Sequence, residues 1–423
     1  APPTGTPGEY EIVVRERLSE REGKTASGTT IRARRNSATG EWLPAAGNLV
    51  VRCDSSTALN PGDRAVVRGK IYPFTARHGG YGRLMTRRGY VGTLYLNRSS
   101  LLLSDTLHRE LSPKHLSLFL HERAVTRLDR LALAPDEQAL CNAMTAGDRR
   151  SLSPALRAAY SRSGTSHLLA VSGLHVGIVF LLANLLLWWL PLFRHGHILR
   201  NIAVILLIWL YAATTGFPPS VVRAALMFSV LQFALASSSE YVGMNTLAGV
   251  AFVMLLFHPD YLFDISFQLS FIAVAGIIAW GLPLCRLLRT RRKSIDMLTA
   301  TLAIGFSASA ATAPLISHTF GQISVVGLAL NPVVILLSYV VVGSCTLWLV
   351  IPGTALAPLF SVVAGFAARA QNELIRAAAA LPAAALDIRL TTTQCWSVYG
   401  LFIFATLLLW SAERKKSVSS LPE

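Results

Sequence analysis

Three polar side chains, His167, Ser172 and His175, stand where a polar N-terminal third gives way to a mostly apolar chain. Ser172 and His175 are three residues apart, so on a helix their side chains lie on one face. A hydroxyl beside an imidazole is the arrangement of a nucleophile and its general base. Polar groups at membrane depth are costly unless they find partners or line a wet cavity, so the three side chains also fit a pathway through a helical bundle.

A purely structural use of these residues is equally consistent with the sequence, because hydrogen bonds to neighbouring helices would account for both histidines. An enzyme would also need an orienting group and an oxyanion donor, and neither can be identified in the sequence. We therefore predict no catalytic residues and assign the three side chains to a pore. Gly173 and Gly177 are four residues apart, which predicts close approach of another helix.

The composition describes a membrane protein with one soluble region. Of the 423 residues, 52% are hydrophobic and 15% are charged, and the mean hydropathy is +0.46. The long apolar segments all follow residue 165, which predicts a soluble region before a helical membrane bundle. The first residue is Ala1 and no leader precedes it, so we expect a trimmed start.

Positive charge is concentrated in the soluble region. The net charge is +16, and residues 51–100 carry nine basic and two acidic side chains. This excess indicates a polyanion or an anionic membrane surface as partner, although a solvated basic face would look the same. The five cysteines have no metal-ligand spacing, so we predict no metal and no cofactor. An oxidising compartment would allow a Cys53–Cys141 bridge.

The alternation of β-forming residues and turn signals over residues 1–104 predicts a small all-β domain, an OB-like barrel. The five predicted strands, separated by turn signals, are Tyr10–Arg15, Thr30–Arg35, Gly47–Cys53, Asp63–Tyr72 and Gly89–Leu96. OB barrels bind single strands through a basic groove and stacking aromatic rings. The predicted DNA-binding residues are Arg64, Arg68, Lys70, Arg77, Arg83, Arg87, Arg88, Tyr81 and Tyr90.

Residues 105–162 predict an amphipathic helical connector, whose basic helix at 114–133 either lies on the membrane or packs on the barrel. Residues 163–423 predict a polytopic α-helical bundle. Its apolar spans are about 166–190, 198–216, 220–238, 244–258, 264–284, 297–317, 322–351 and 394–411. A further helix at 354–381 carries charged and amide side chains, and it either crosses the membrane or lies at its surface.

Basic loops set the predicted orientation. The positive-inside rule places Arg286–Lys293, Arg414–Lys416 and the loop with Arg194 and Arg200 in the cytoplasm. If the helix at 354–381 crosses the membrane, all three assignments hold and the barrel faces the outer side. If that helix lies on the surface, one basic run is misplaced.

Four further polar side chains lie in or beside the predicted spans. Arg223 follows the chain break GFPPS and either snorkels to the interface or lines a path for an anion. Asn331 precedes a proline in the middle of a predicted span, where freed carbonyls can face a cavity. The complete predicted pore lining is His167, Ser172, His175, Arg223, Asp264, Gln268 and Asn331.

Nearly the whole chain resembles one family, the ComEC inner-membrane channels that import transforming DNA. Their competence domain is similar to AGDRRSLSPALRAAYSRSGTSHLLAVSGLHVG (146–177), GFPPSVVRAALM (216–227), FDISFQLSFIAVAGI (263–277) and the Asn331–Pro332 pair. The stretch GYGRLMTRRGYVGTL (80–94) resembles the end of the OB-type domain that precedes it. The resemblance implies that single-stranded DNA passes into the bacterial cytoplasm and that the barrel meets DNA outside the inner membrane.

Long members of that family also carry a metallo-β-lactamase-like domain. This sequence leaves no room for one and has no HxHxDH ligand set, so the resemblance implies a separate nuclease and a separate DNA receptor. No GxxxxGK[ST] loop is present, which predicts a separate translocation motor. Membrane lipids are the other expected partner, and the oligomeric state is left open. The alternative function is a small-solute or lipid transporter built on the same bundle.

Overall fold

The computed structural model describes residues 7–21, 24–36, 39–54, 59, 62–74, 82, 85–86, 89–105, 113–236, 243–324, 326–351, 356–382 and 384–419. The chain divides into two compact units, residues 1–123 and 124–423. The first contains a β-barrel and the second is mostly helical, which confirms the predicted fold class. The connector predicted at 105–162 is divided between the two units.

Six strands form the barrel unit: β1 (Pro7–Arg21), β2 (Lys24–Arg35), β3 (Trp42–Asp54), β4 (Arg64–Pro73), β5 (Tyr90–Leu96) and β6 (Leu101–Asp105). They pair in the order β1-β2-β3-β5-β4, and β1 also pairs with β4, so the sheet closes on itself. β3 and β5 are parallel, and the other neighbours are antiparallel. A closed five-strand sheet of this kind is an OB-like barrel. The sequence did not predict β6, which pairs with the first half of β4.

Alternation of side chains along the strands fills the barrel interior. On β4, Ala65, Val67 and Ile71 are at most 3% exposed and point inward. Arg68 and Lys70 lie between them and point outward, because successive side chains on a strand face opposite sides. The same rule places Leu94 inside on β5 and its neighbour outside. The inner positions make the core, and the outer positions are left to carry charge.

The helices of the chain are α1 (Pro113–Leu128), α2 (Pro135–Thr145), α3 (Pro154–Arg162), α4 (Gly173–Leu186), α5 (Gly196–Thr214), α6 (Pro219–Ala236), α7 (Gly243–Phe257), α8 (Ile265–Gly276), α9 (Leu282–Leu287), α10 (Lys293–Phe320), α11 (Val326–Val350), α12 (Ala357–Ala379) and α13 (Thr392–Ser419). A π-helical turn, Ile277–Gly281, joins α8 to α9. A short two-stranded sheet, β7 (Ile323–Ser324) with β8 (Ala385–Leu386), links the segments after α10 and α12.

Five helical segments among the described residues are long and apolar enough to cross a membrane, so the chain is a multi-pass membrane protein. They are Gly173–Leu192, Gly196–Thr214, Ile265–Leu287, Ile295–Phe320 and Ala329–Val350. Two further predicted spans are shorter apolar helices, Pro219–Leu235 and Gly243–Phe257. The first predicted span began too early: residues 166–169 form a separate 3-10 turn, and the helix starts at Gly173.

The undecided helix at 354–381 is α12, and its polar side chains have partners inside the protein. Gln371 and Asn372 are at most 1% exposed. The Tyr160 hydroxyl on α3 donates to Asn372 Oδ1 at 3.1 Å and accepts from Gln371 Nε2 at 3.3 Å. Asn372 Nδ2 donates to the main-chain carbonyl of Asp136 at 3.2 Å, and Arg376 pairs with the Asp136 carboxylate. These contacts hold α12 against α2 and α3, which were predicted as connector.

Burial raises the pKa of the Tyr160 hydroxyl. The phenol therefore stays protonated and remains a donor to Asn372 at any pH near neutral.

The Cys53–Cys141 bridge considered from sequence is not formed. Both thiols are free and buried, each inside its own unit. In the barrel, the Thr25 hydroxyl lies 3.1 Å from the Cys53 sulfur and donates to the Cys53 carbonyl at 3.3 Å. Cys141 lies in the core of the helical unit and is 0% exposed. Each cysteine is thus a small core residue of its own unit.

Candidate functional site

The outer face of β4 and β5 carries an aromatic pair beside positive charge, and we call it the Tyr72–Tyr95 face. Tyr72 is 47% exposed and Tyr95 is 54% exposed. Their ring centroids lie 5.8 Å apart with the planes at 72°, and the Lys70 ammonium is 5.6 Å from the Tyr72 ring centroid. Arg52 on β3 is in register with Tyr95 and is also exposed. Exposed aromatic rings with adjacent cations can stack on unpaired bases and contact phosphates.

One carboxylate, Glu9 on β1, balances two arginines at the edge of this face. Arg68 Nε donates to Glu9 Oε1 at 2.9 Å, and Arg35 Nη1 donates to Glu9 Oε2 at 3.1 Å. The hydrogen bond from Arg68, followed by that from Arg35, lowers the pKa of the Glu9 carboxyl. The arginine side chains remain 61% and 50% exposed, so they are paired but accessible.

The predicted DNA-binding residues fall into three groups in the structure. Arg68 and Lys70 are exposed on β4, and Arg64 is half-buried at the start of that strand. Tyr90 is 8% exposed and packs with Ala26, Val50 and Met85 in a small second core, so its ring is not presented to solvent. The remaining five lie outside the described residues; they are Arg77, Tyr81, Arg83, Arg87 and Arg88.

Tyr72 and Tyr95 are both absent from the predicted DNA-binding residues, although the sequence carried a signal for Tyr95. Its signal was the period-two pattern of β5, since Tyr95 stands between Leu94 and Leu96, which are at most 2% exposed. Tyr90 is separated from this regular run by Gly92, where a Cβ would lie 2.4 Å from the main-chain oxygen of Tyr72. Only a glycine fits at that crossing.

In the helical unit, Ser172 and His175 meet as the N-terminal cap of α4. The main-chain N–H of Ser172 donates to His175 Nδ1 at 3.0 Å, and the Ser172 hydroxyl is 3.4 Å from the same nitrogen. A side chain at the third helical position that binds the cap residue's N–H is half of a capping box. The Nδ1 lone pair is therefore already used by the main chain.

The other ring nitrogen of His175 is buried. The residue is 0% exposed, and Nε2 has no hydrogen-bond partner within the described part of the chain. Because Nδ1 accepts a hydrogen bond, the neutral ring carries its proton on Nε2. A buried N–H donor without an acceptor costs free energy, and such groups are rare in folded proteins.

The two predicted close-packing glycines face α6. A Cβ placed on Gly173 would lie 3.0 Å from Nη2 of Arg223 and 3.6 Å from the Cβ of Ala224. A Cβ on Gly177 would lie 3.3 Å from the Phe228 ring, and that ring stacks on Phe180 with centroids 4.7 Å apart. Small residues thus let α4 and α6 approach closely, as the spacing predicted.

Arg223 is 7% exposed and lies at the starts of both helices. It is the fifth residue of α6, its Nη2 lies over the first residue of α4, and the Phe271 ring centroid is 5.8 Å from its Cζ. The Ser220 hydroxyl donates to the Val171 carbonyl at 3.0 Å, which ties the first turn of α6 to the residue before the α4 cap. The guanidinium is therefore buried within the bundle and does not snorkel to water.

The turn before α6 fixes this junction. Gly216 and Phe217 both have positive φ, at 84° and 53°. The Phe217 N–H donates to the Ala212 carbonyl at 2.9 Å and ends α5. A left-handed phenylalanine is unusual, and it reverses the chain directly into Pro218 and α6.

The other predicted pore residues either make hydrogen bonds within their own helix ends or lie on other elements of the bundle. Asp264 caps α8 by accepting from the Phe267 N–H at 3.1 Å, and Gln268 donates to the Leu262 carbonyl at 2.8 Å. Asn331 lies in the second turn of α11, not mid-span as predicted, and its Oδ1 is buried with no partner inside the described ranges. His167 lies in the 3-10 turn at 166–169 with an exposed side chain. The structure thus joins Ser172 to His175 at the start of α4 and places Arg223 over the neighbouring Gly173, at what we call the helix junction.

Within the described ranges, no three His, Cys, Asp or Glu side chains cluster as a metal site would require.

Comparison with known proteins identifies relatives of the helical unit. The sequence model of the competence protein family matches residues 144–415. ComE operon protein 3 of Bacillus subtilis (strain 168) is 33% identical over 204 residues, which cover 47% of this chain and 24% of that protein. An uncharacterised protein of Aquifex aeolicus (strain VF5) is 29% identical over 201 residues, covering 47% of this chain and 45% of the relative. The chain thus spans about a quarter and under a half of these two relatives. No solved structure matches it.

Proposed function

The chain belongs to the competence protein family, and we propose on that basis that it is a membrane channel for the import of single-stranded transforming DNA into the bacterial cytoplasm. The family match lies over the membrane helices, which supports a transport role for the bundle. The relative from Bacillus subtilis is named ComE operon protein 3, and this agrees with the resemblance of the sequence to the ComEC channels.

The Tyr72–Tyr95 face is the observation that carries the choice of DNA as substrate. Two exposed rings with Lys70, Arg68 and Arg52 nearby offer stacking surfaces and phosphate contacts on one side of an OB-like barrel. A small-solute or lipid transporter gains nothing from such a face. Binding there is nearly sequence-blind and salt-sensitive, because it neutralises the backbone and stacks on any base.

The barrel gathers DNA on the outer side of the inner membrane, and the strand then threads the bundle. We infer that DNA also contacts Arg77, Arg83, Arg87, Arg88 and Tyr81, which lie outside the described residues, and Arg64, which lies at the start of β4. In the bundle the strand passes residues drawn from His167, Ser172, His175, Arg223, Asp264, Gln268 and Asn331. A separate motor, nuclease and DNA receptor complete the pathway.

The proposed role is transport without catalysis. The Ser172 and His175 side chains do approach each other, but His175 Nδ1 already accepts the Ser172 main-chain N–H at 3.0 Å. A ring nitrogen committed to a cap is a poor base for the neighbouring hydroxyl.

The experiment is uptake of fluorescent DNA by cells that carry wild type or barrel variants, with surface-bound and cytoplasmic DNA scored separately. We expect Lys70→Glu/Tyr72→Ala to lose both binding and import. Arg15→Glu is the matched control, because Arg15 is an exposed β1 residue beyond the Arg64 end of β4, far from Lys70. If a deletion strain imports DNA as well as wild type, the proposal is wrong and the transporter alternative takes its place.

A further inference from the structure

Five basic side chains lie in the turn from α9 to α10, which we call the basic turn. All five are exposed; they are Arg286, Arg289, Arg291, Arg292 and Lys293. The one acidic residue between positions 282 and 300 is Asp296, and its Oδ1 accepts a hydrogen bond from the main-chain N–H of Thr290 at 2.9 Å. The turn therefore presents a strong positive charge to its surroundings, and one carboxylate stands against it.

Helices long and apolar enough to cross the membrane flank the basic turn on both sides. One of these segments ends at Leu287 and the next begins at Ile295. Apolar side chains at both ends are exposed, as they are where lipid chains surround a protein: Leu287 is 80% exposed and Met297 is 71% exposed. The seven residues between the two segments therefore lie where the hydrocarbon core gives way to the lipid headgroups.

The basic turn is too short to carry its charges far from the membrane surface. A chain of seven extended residues is at most about 25 Å long, and because it leaves the surface and returns, it rises by at most about 12 Å. The Thr290–Asp296 hydrogen bond draws the turn back towards the first turn of α10. Charged headgroups act over about one Debye length, roughly 8 Å in physiological salt. The cations of the turn are thus held where the headgroups attract them.

An anionic phospholipid fits the basic turn better than a nucleic acid does. Leu287 and Leu288 are both exposed and stand directly beside the cations, which suits a ligand that has acyl chains as well as a phosphate. Single-stranded DNA is held by aromatic rings together with cations. Positions 282 to 300 contain no Phe, Tyr or Trp, in contrast to the Tyr72–Tyr95 face of the barrel.

We propose that the basic turn binds anionic phospholipids, with its cations on the headgroup phosphates and the exposed leucines among the acyl chains. Four of the five cations are arginines, whose planar guanidinium group binds a phosphate through two parallel hydrogen bonds. Clusters of four to eight basic residues beside a membrane span are typical of such lipid binding. The interaction fixes the α9–α10 end of the bundle to anionic lipid, and it does not depend on what the bundle transports.

The test titrates the purified full chain in zwitterionic micelles with fluorescent phosphatidylglycerol or phosphatidylcholine, and energy transfer from the tryptophans reports binding. We expect wild type to prefer phosphatidylglycerol. The variant Arg289→Gln/Arg291→Gln/Arg292→Gln should lose that preference, by about fivefold for each charge removed. The matched control is Arg15→Gln/Lys24→Gln/Arg32→Gln, which removes three exposed charges from the barrel and should keep the preference. No preference in wild type, or an equal loss in the two triple variants, overturns the proposal.

Two further arms identify the ligand. Leu287→Ser keeps every charge, and we expect it to weaken binding of phosphatidylglycerol while competition by glycerol phosphate, which has no acyl chains, is unchanged. A single-stranded thymidine oligonucleotide should not displace phosphatidylglycerol from wild type. Displacement by the oligonucleotide that is lost in the Arg289, Arg291 and Arg292 variant would make the turn a DNA contact and overturn the assignment to lipid. If deletion cells import DNA normally, the proposed function fails and lipid binding by the turn stands.

Discussion

The barrel face and the helix junction use the same kinds of side chain in opposite surroundings. On the barrel, Arg68 and Lys70 are exposed, and Glu9 balances one of them with a direct ion pair. At the junction, Arg223 is 7% exposed beside two helix starts. Exposed charges are screened by water and salt and cost little, whereas a buried cation is expensive and seldom kept without a use. The comparison teaches that the same charge costs little where water and a carboxylate share it, and costs much more where helices enclose it.

The largest expected effect tests whether the close packing of α4 against α6 tolerates a larger side chain. Gly177→Leu drives a side chain into the Phe228 ring, which already lies 3.3 Å from a Cβ at that position. Overpacking of this kind costs about 1–3 kcal/mol, so we expect a thermal unfolding midpoint lower by several degrees. Gly249→Leu is the control, because a Cβ there meets nothing within 4 Å. Equal midpoints for the two variants would show that α4 and α6 are not closely packed.

A smaller effect tests the aromatic pair of the barrel. Tyr72→Ala and Tyr95→Ala should each weaken binding of a thymidine oligonucleotide by about tenfold, since stacking on one ring contributes about 1–3 kcal/mol. Tyr90→Phe should have no effect, because Tyr90 is buried in the second small core. Fluorescence anisotropy with the purified chain measures both. Loss of affinity in Tyr90→Phe but not in Tyr72→Ala would reverse the assignment.

The salt dependence of binding distinguishes charge from stacking on the same face. Lys70→Gln should make the slope of log affinity against log salt shallower by about 0.7, the value for one phosphate contact with a single strand. Tyr95→Ala should lower affinity at every salt concentration with an unchanged slope. Parallel slopes for wild type and Lys70→Gln would mean that Lys70 does not contact phosphate.

The smallest effect concerns Glu9, the carboxylate that pairs with Arg35 and Arg68 on the barrel. Glu9→Gln leaves Arg35 and Arg68 without their shared carboxylate, and we expect DNA affinity to rise about twofold, because exposed ion pairs contribute little. A decrease would show that Glu9 positions the arginines for DNA.

Glu9 also makes barrel stability depend on pH with a definite sign. The two arginines lower its pKa from the ordinary value of 4.5, so the unfolded chain binds a proton first as the pH falls. The stabilisation by Glu9 is complete above 4.5 and is lost in more acidic solution as the folded-state pKa is passed. Unfolding curves of wild type and Glu9→Gln should therefore converge on acidification. A gap that widened at low pH would contradict the ion pairs.

The barrel was largely predictable from the sequence, because strand alternation is a local signal. All five predicted strands lie within or beside the observed β1 to β5. The exposure of the tyrosines was harder to predict. Tyr90 and Tyr95 both lie on β5, and only the packing of Val50 and Met85 around Tyr90 buries it in the second small core. Side-chain exposure at a strand end depends on neighbours that are distant in sequence.

The helix junction was only partly predictable. The Gly173–Gly177 spacing correctly indicated close packing, and Ser172 and His175 were correctly placed near each other. The sequence did not show that they begin the helix, because the apolar residues Leu168 and Leu169 extend the hydrophobic pattern back through a 3-10 turn. Nor could it show that Arg223 lies over Gly173, a contact between residues fifty positions apart. Asp264 follows the ordinary capping rule and could have been assigned to it.

The buried amides of α12 impose an order on biogenesis. Asn372 joins Tyr160 across 212 residues and Asp136 across 236, so the ribosome has released α2 and α3 long before their partner emerges. Until then the Tyr160 hydroxyl needs water as its hydrogen-bond partner, because burying it in lipid without a partner would cost free energy. The contacts of α2 and α3 with α12 are therefore completed late in synthesis. A chain stalled before residue 357 would leave the Tyr160 hydroxyl and the Asp136 carbonyl without the contacts that Asn372 makes to them in the complete fold.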